Sequence, residues 1–182
     1  MKRLKRVVSE DFRLAVKEVK DMIETSDVLL TDLERVIEVA DEKIKQYKDS
    51  SESRFLNEQE TWFRLIIRIL ITTIDATCFK LKQLALIKNK ERNRQLDEKD
   101  IEKLTEKRSD GGLFFLSTAE NMKYSFKMYA AAFDSDYKIK YGKEWATFLR
   151  VQNKRKGLTH PKNKSDLSVS ISDYKAAYET AE

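Results

Sequence analysis

A chain of 182 residues with four glycines and one proline is long enough for one domain with a substantial core, and too poor in turn residues for a β-sandwich or barrel. Its 36 basic and 31 acidic residues leave a net charge of +5, a total that excludes neither nucleic acid nor protein as partner, so the distribution of charge carries the information. A lone cysteine, Cys78, excludes an intramolecular disulfide, and a lone histidine, His160, excludes a multi-histidine metal centre.

Met1 to Arg6 holds four basic residues and no apolar run of signal-peptide length, which with the single cysteine predicts a reducing, cytoplasmic setting. Phe12, Val16, Val19 and Ile23 follow at helical steps and predict a first helix. Leu30, Leu33, Ile37, Ala40, Ile44 and Tyr47 continue the seam, and Thr25-Ser26-Asp27 either interrupts it or is carried through. Residues 9–47 are thus one helix or two. Lys48 to Leu56 is polar and predicts a loop, after which Asn57 and Glu60 have the spacing of a capping box. A central helix is expected from about Glu58 to about Arg92. Its most apolar part, Leu65 to Leu86, is broken by Arg68, Asp75, Lys80 and Lys82, so it reads as a buried helix and not a membrane span. Cys78 reads as a small core side chain.

Arg64, Arg68, Thr72 and Asp75 follow at steps of four, four and three, a polar line along that helix. A buried charge needs a partner, so Arg68 and Asp75 either reach solvent, pair with neighbours, or line a site. Beyond it, a short helix is expected at Glu98 to Lys107, then a turn at Ser109 to Gly112. Ser117 and Glu120 have capping-box spacing and open a helix to about Asp134. Its aromatics, Tyr124, Phe126, Tyr129 and Phe133, read as core, with base stacking as the other reading. A helix from Lys143 to about Lys156 turns Trp145, Phe148, Leu149 and Gln152 inward. Lys162 to Ser172 is expected to run extended, and Asp173 to Ala181 to form a last helix docked through Tyr174, Ala177 and Tyr178. These elements predict an all-α fold: one domain over residues 1–182, an antiparallel bundle of about four core helices with one or two short accessory helices, and 162–182 as a C-terminal arm.

The segment Asn153 to Lys162 contains the only histidine and the only proline, and no acid occurs from Arg150 through Lys164. Its cations Arg150, Lys154, Lys156, Lys162 and Lys164 are candidates for binding nucleic acid. On an unbroken helix, residues five apart point about 140° away from each other. Gly157 and Pro161 predict a turn that lets Arg155 and His160 converge. The helix end favours protonated His160 and the surrounding cations oppose it, so the direction of its pKa shift stays open. Imidazole titrates near neutrality, and guanidinium offers a fixed cationic fork for a phosphoryl oxygen. Together they supply the groups that RNA cleavage needs, with no metal or cofactor. A two-fold dimer would bring two such pairs together.

Arg155, four intervening residues and His160, at the end of a helical chain, resemble the motif of the HEPN superfamily (Higher Eukaryotes and Prokaryotes Nucleotide-binding domain). The string Leu158-Thr159-His160-Pro161-Lys162 is similar to that segment in bacterial members. The resemblance implies a four-helix bundle, a homodimer, and a metal-independent endoribonuclease of the toxin-antitoxin or defence type, with RNA as substrate and an antitoxin or other protein as partner. It implies Arg155 as phosphate stabiliser and His160 as catalytic acid or base. Lys156 stands where active members usually carry Asn, Asp or His. The alternative is a non-catalytic helical module that binds nucleic acid or protein through the same basic face.

Overall fold

The computed structural model describes residues 10–47 and 53–181. The basic run Met1 to Arg6 lies outside them, as do the side chains of Phe12, Val16, Val19, Ile23 and Tyr47. The elements are α1 (Glu10–Tyr47), α2 (Ser53–Glu91), α3 (Glu98–Thr105), α4 (Thr118–Ala132), α5 (Lys143–Thr159), a 3₁₀ turn (Lys164–Leu167) and α6 (Ile171–Ala181). The fold is an all-α bundle with no strand among the described residues. No helix of the described residues is long and apolar enough to cross a membrane.

Helix α1 is one helix of 38 residues. Thr25 and Thr31 return their hydroxyls to the carbonyls of Asp21 and Asp27, 2.7 Å in each case, so the polar residues near its middle are satisfied without breaking the ladder. Helix α2 is already formed at Ser53, and the expected capping box at Asn57 does not exist. Asn57 is inside the helix, its carbonyl accepting the Thr61 hydroxyl at 2.9 Å, while Glu60 turns to Arg64 (3.2 Å). Of the expected loop, 48–52 lies outside the described residues.

Helix α2 is the hub, packing against α1, α3, α4, α5 and α6. Phe63, Ile66, Ile67, Leu70 and Ile71 are buried against Leu33 and Ala40 of α1, Phe148, Val151 and Leu158 of α5, and Tyr174 and Ala177 of α6. Phe63 stacks on Tyr174 at 4.7 Å, and the Tyr174 hydroxyl donates to Asp41, so an aromatic pair and a hydrogen bond tie α6 to α1 and α2. A smaller core of Ala85, Leu104, Met128 and Ala132 seats α3 on α2 and α4.

The buried face of α4 is Asn121, Ser125, Met128, Ala130 and Ala132, not its aromatics. Small side chains let α4 approach Cys78 of α2, whose thiol is pushed up by burial and is therefore inert packing. Tyr124 instead donates its hydroxyl to Asp100 at 3.0 Å, and Tyr129 stacks on Phe133 at the bundle's edge. The Ser117–Glu120 capping box forms as expected. A second box, at Asn163 and Asp166, opens the 3₁₀ turn, and Ser170 with Asp173 caps α6 (Asp173 N to Ser170 Oγ, 3.2 Å). Residues 162–172 are therefore folded back by two side-chain caps and are not extended throughout.

Between α3 and α4 the chain makes a tight excursion. Glu106 is left-handed (φ 56°), Lys107 and Leu113 form an antiparallel bridge, and Gly111 turns at φ 84°, a conformation glycine adopts without strain. This connector brings Glu106 back to Lys82 of α2, 2.5 Å away, whose side chain is 1% exposed.

Candidate functional site

Helix α5 does not stop at Gly157. It runs to Thr159, and His160 is its C-cap (φ −129°, ψ 64°) with its N–H bonded to the Lys156 carbonyl. The turn expected between Arg155 and His160 is absent because tertiary contacts hold the last turn. Leu158 is buried, and the Arg68 guanidinium donates to the Leu158 carbonyl at 2.9 Å, satisfying an orphan acceptor at the helix's negative end. Arg64 does the same for the 3₁₀ turn through the Leu167 carbonyl, 2.9 Å. The two arginines of the polar line therefore clamp the chain on either side of His160, and Arg68 is not among the residues that line the cleft holding Arg155. A methyl group at Gly157 would sit 3.5 Å from the Asp166 carbonyl, an ordinary contact. Gly157→Ala is therefore expected to stabilise the fold by about 0.5–1 kcal/mol, the helix-propensity difference; a loss of stability in a urea melt would mean the helix does not continue through residue 157.

Because α5 is unbroken, Arg155 and His160 leave it in directions about 140° apart. Arg155 and Lys156 line a cleft of roughly 660 Å³ between α2, the α3–α4 connector, α4 and α5. His160 is exposed at the helix end and is not among the cleft's lining residues. One chain by itself does not bring the two together.

The cleft is tied across its walls by polar contacts. Asp75 of α2 accepts from the Thr118 hydroxyl of α4 at 3.3 Å. Burial raises its carboxyl pKa above the ordinary value, with the Thr118 bond and the Arg155 charge pulling it back. With its amide oxygen turned to α4, Gln152 of α5 accepts the backbone N–H groups of Thr118 and Ala119, both at 3.2 Å, so a side chain of one helix serves the N-terminus of another. Arg155 is half-buried; its carbonyl accepts the Thr159 hydroxyl at 2.9 Å, while its guanidinium makes no hydrogen bond or ion pair among the described residues. Asn121 is 8% exposed, and its Oδ1 is buried without a partner.

The other predicted nucleic-acid contacts divide. Arg150 donates to Ser172 (2.8 Å) and Asp173 (2.9 Å), and Lys154 lies 3.8 Å from the same Asp173, so both fasten α5 to α6. The acid missing from the basic run is supplied from further along the chain. Lys162 and Lys164 are exposed beyond the helix end, Lys164 beside a shallow groove with Glu60 and Arg64. Only Lys156 joins Arg155 and Asp75 in the cleft.

Phe79, Phe115, Asn121 and Gln152 line it unforeseen. The doublet Phe114-Phe115 beside a glycine turn was the available signal, and both residues line the cleft. Comparison with protein-family models, curated proteins and solved structures finds no match to this chain.

Proposed function

We propose that this protein is a metal-independent, HEPN-like endoribonuclease that works as a homodimer, with Arg155 and His160 as its catalytic pair. The observation that carries this reading is the state of Arg155. Arg64, Arg68, Arg92, Arg94 and Arg150 each donate to a named oxygen of the fold. Arg155, half-buried beside an open cleft, donates to none among the described residues; Asp75 feels its charge without bonding to it, and a guanidinium with no bonded oxygen is suited to an anionic ligand.

In the proposed reaction the 2′-hydroxyl of RNA attacks the adjacent phosphorus, the bond to the 5′-oxygen breaks, and a 2′,3′-cyclic phosphate remains. One histidine accepts the 2′-hydroxyl proton or donates one to the departing 5′-oxygen. Arg155 stabilises the charge that builds on the phosphoryl oxygens. Since Arg155 and His160 of one chain diverge, the pairing we infer is across a two-fold axis, with the second chain completing the site. A nuclease of this kind fits a toxin or defence effector held in check by a protein inhibitor. The test is incubation with single-stranded RNA in EDTA: products ending in cyclic phosphate are expected, and intact RNA at high enzyme concentration would count against the reading.

The unbroken helix through Gly157 favours a second reading, a non-catalytic helical module that binds RNA or a protein through the same face. It requires binding without cleavage, unchanged by His160→Ala.

A further inference from the structure

The cleft holds more than a phosphate contact needs. We propose that it is a subsite for one unpaired nucleobase, held beside the phosphate that Arg155 and Lys156 bind; this rests on the RNA reading above and specifies the substrate as single-stranded. Three observations converge. Asn121 lines the cleft and its Oδ1, out of reach of solvent, has no partner, so an amide that turns toward the cleft offers an acceptor to an N–H, which every base presents on its pairing edge. Phe79 and Phe115 line the same cleft while 45% and 80% exposed, and exposed rings beside cations are the stacking platform of single-strand binding sites. The volume, roughly 660 Å³, lies within the range of small-ligand sites, about 300–1,000 Å³, and admits a nucleotide but no duplex.

The charges agree with this placement. Arg155 and Lys156 are on the α5 wall, and Asp75 on the α2 wall offers a further acceptor for an amino group or a ribose hydroxyl. The remaining lining acid, Glu106, is taken by Lys82. A base in a duplex has its pairing edge occupied and its faces stacked, so only an unpaired or extruded base enters. A purely apolar protein segment would cover Phe79 and Phe115 but leave Arg155 and Asn121 unmatched.

The experiment measures binding by fluorescence anisotropy in EDTA, using full-length His160→Ala protein so that the probe stays intact. The probes are a single-stranded hexaribonucleotide, its duplex, and the same strand with one abasic ribose. Single strand is expected to bind at least about tenfold tighter than duplex. Phe115→Ala, at a position 80% exposed, should leave the melting temperature unchanged and weaken single-strand binding about 5- to 100-fold, the range of one lost stacking contact. That difference should shrink for the strand whose abasic position occupies the cleft. Equal binding by Phe115→Ala and its parent overturns the base subsite, even if protein with His160 intact cleaves RNA. Retained sensitivity to Phe115→Ala, with no cleavage by protein whose His160 is intact, upholds the subsite and sinks the nuclease. No measurable strand binding by either protein overturns the subsite and assigns the exposed rings to a protein partner.

Discussion

His160→Ala is expected to slow RNA cleavage by about 10²- to 10⁴-fold, the contribution of a positioned general acid or base, with folding stability and RNA affinity unchanged. His160 is exposed, its backbone N–H makes the helix-end bond to Lys156, and alanine keeps that bond. Surface changes away from buried contacts stay within about 0.5 kcal/mol. Single-turnover cleavage in EDTA separates the effect from binding. Arg155→Ala should lose both affinity and rate; Arg155→Lys keeps the positive charge but not the planar fork, so relative to Arg155→Ala it should recover affinity while recovering little rate. The two inactive variants also test the proposed dimer. If each site takes Arg155 from one chain and His160 from the other, mixing and re-equilibrating Arg155→Ala with His160→Ala restores one working site per mixed dimer. His160→Ala cutting at the parental rate would remove the catalytic role altogether.

A second large effect is expected far from the helix end. Glu106→Ala should cost about 3 kcal/mol, the lower end of the range for stranding one member of a buried pair, because Glu106 is itself 40% exposed. The asymmetry is the point of the experiment. Lys82 is 1% exposed and cannot follow its ammonium into water when the carboxylate is removed. Glu106 can, so Lys82→Met, which keeps the buried stem's volume, should cost within about 1 kcal/mol. Urea denaturation at constant m-value reads both. Equal costs would mean that water reaches the Lys82 ammonium and that the pair is not a buried one. Glu106 also lines the cleft, so Glu106→Ala removes a negative charge beside the proposed phosphate contacts and Lys82→Met removes the positive charge that offsets it; RNA binding by the folded protein should tighten in the first and weaken in the second.

What could be read from the sequence follows the range over which each signal acts. The central helix and the Ser117–Glu120 cap were legible because periodicity and capping are local. The all-α class was legible because a chain so poor in glycine and proline has few other ways to fold. Asn57 and Glu60 carried the same spacing and formed no cap, since the helix had already begun at Ser53. Gly157 looked like a stop, and a guanidinium 90 residues earlier in the chain kept the helix going. Arg68 and Asp75 gave one signal, a charge on an apolar helix, and met two fates: one holds a carbonyl, the other lines the cleft. The aromatics of α4 looked like core and lie at its margin. Lys82 broke the apolar run with no sign of its burial, because its partner is 24 positions away. Asn121 gave no signal, since an amide becomes informative only when the packing around it leaves an oxygen unmatched.

Between Glu106, which pairs with Lys82, and Ser117, which caps α4, residues 113–116 place Phe115 at the cleft and belong to neither buried cluster. Helix α5, which carries Arg155, is held by buried side chains, by Arg68 and by the ties to α6. Substitutions within 113–116 therefore meet weak selection from folding, whereas substitutions around Arg155 meet strong selection. The expectation is an evolutionary one: among descendants of this sequence, the proposed base preference would diversify quickly through residues 113–116, while Arg155 stays where the bundle has pinned it.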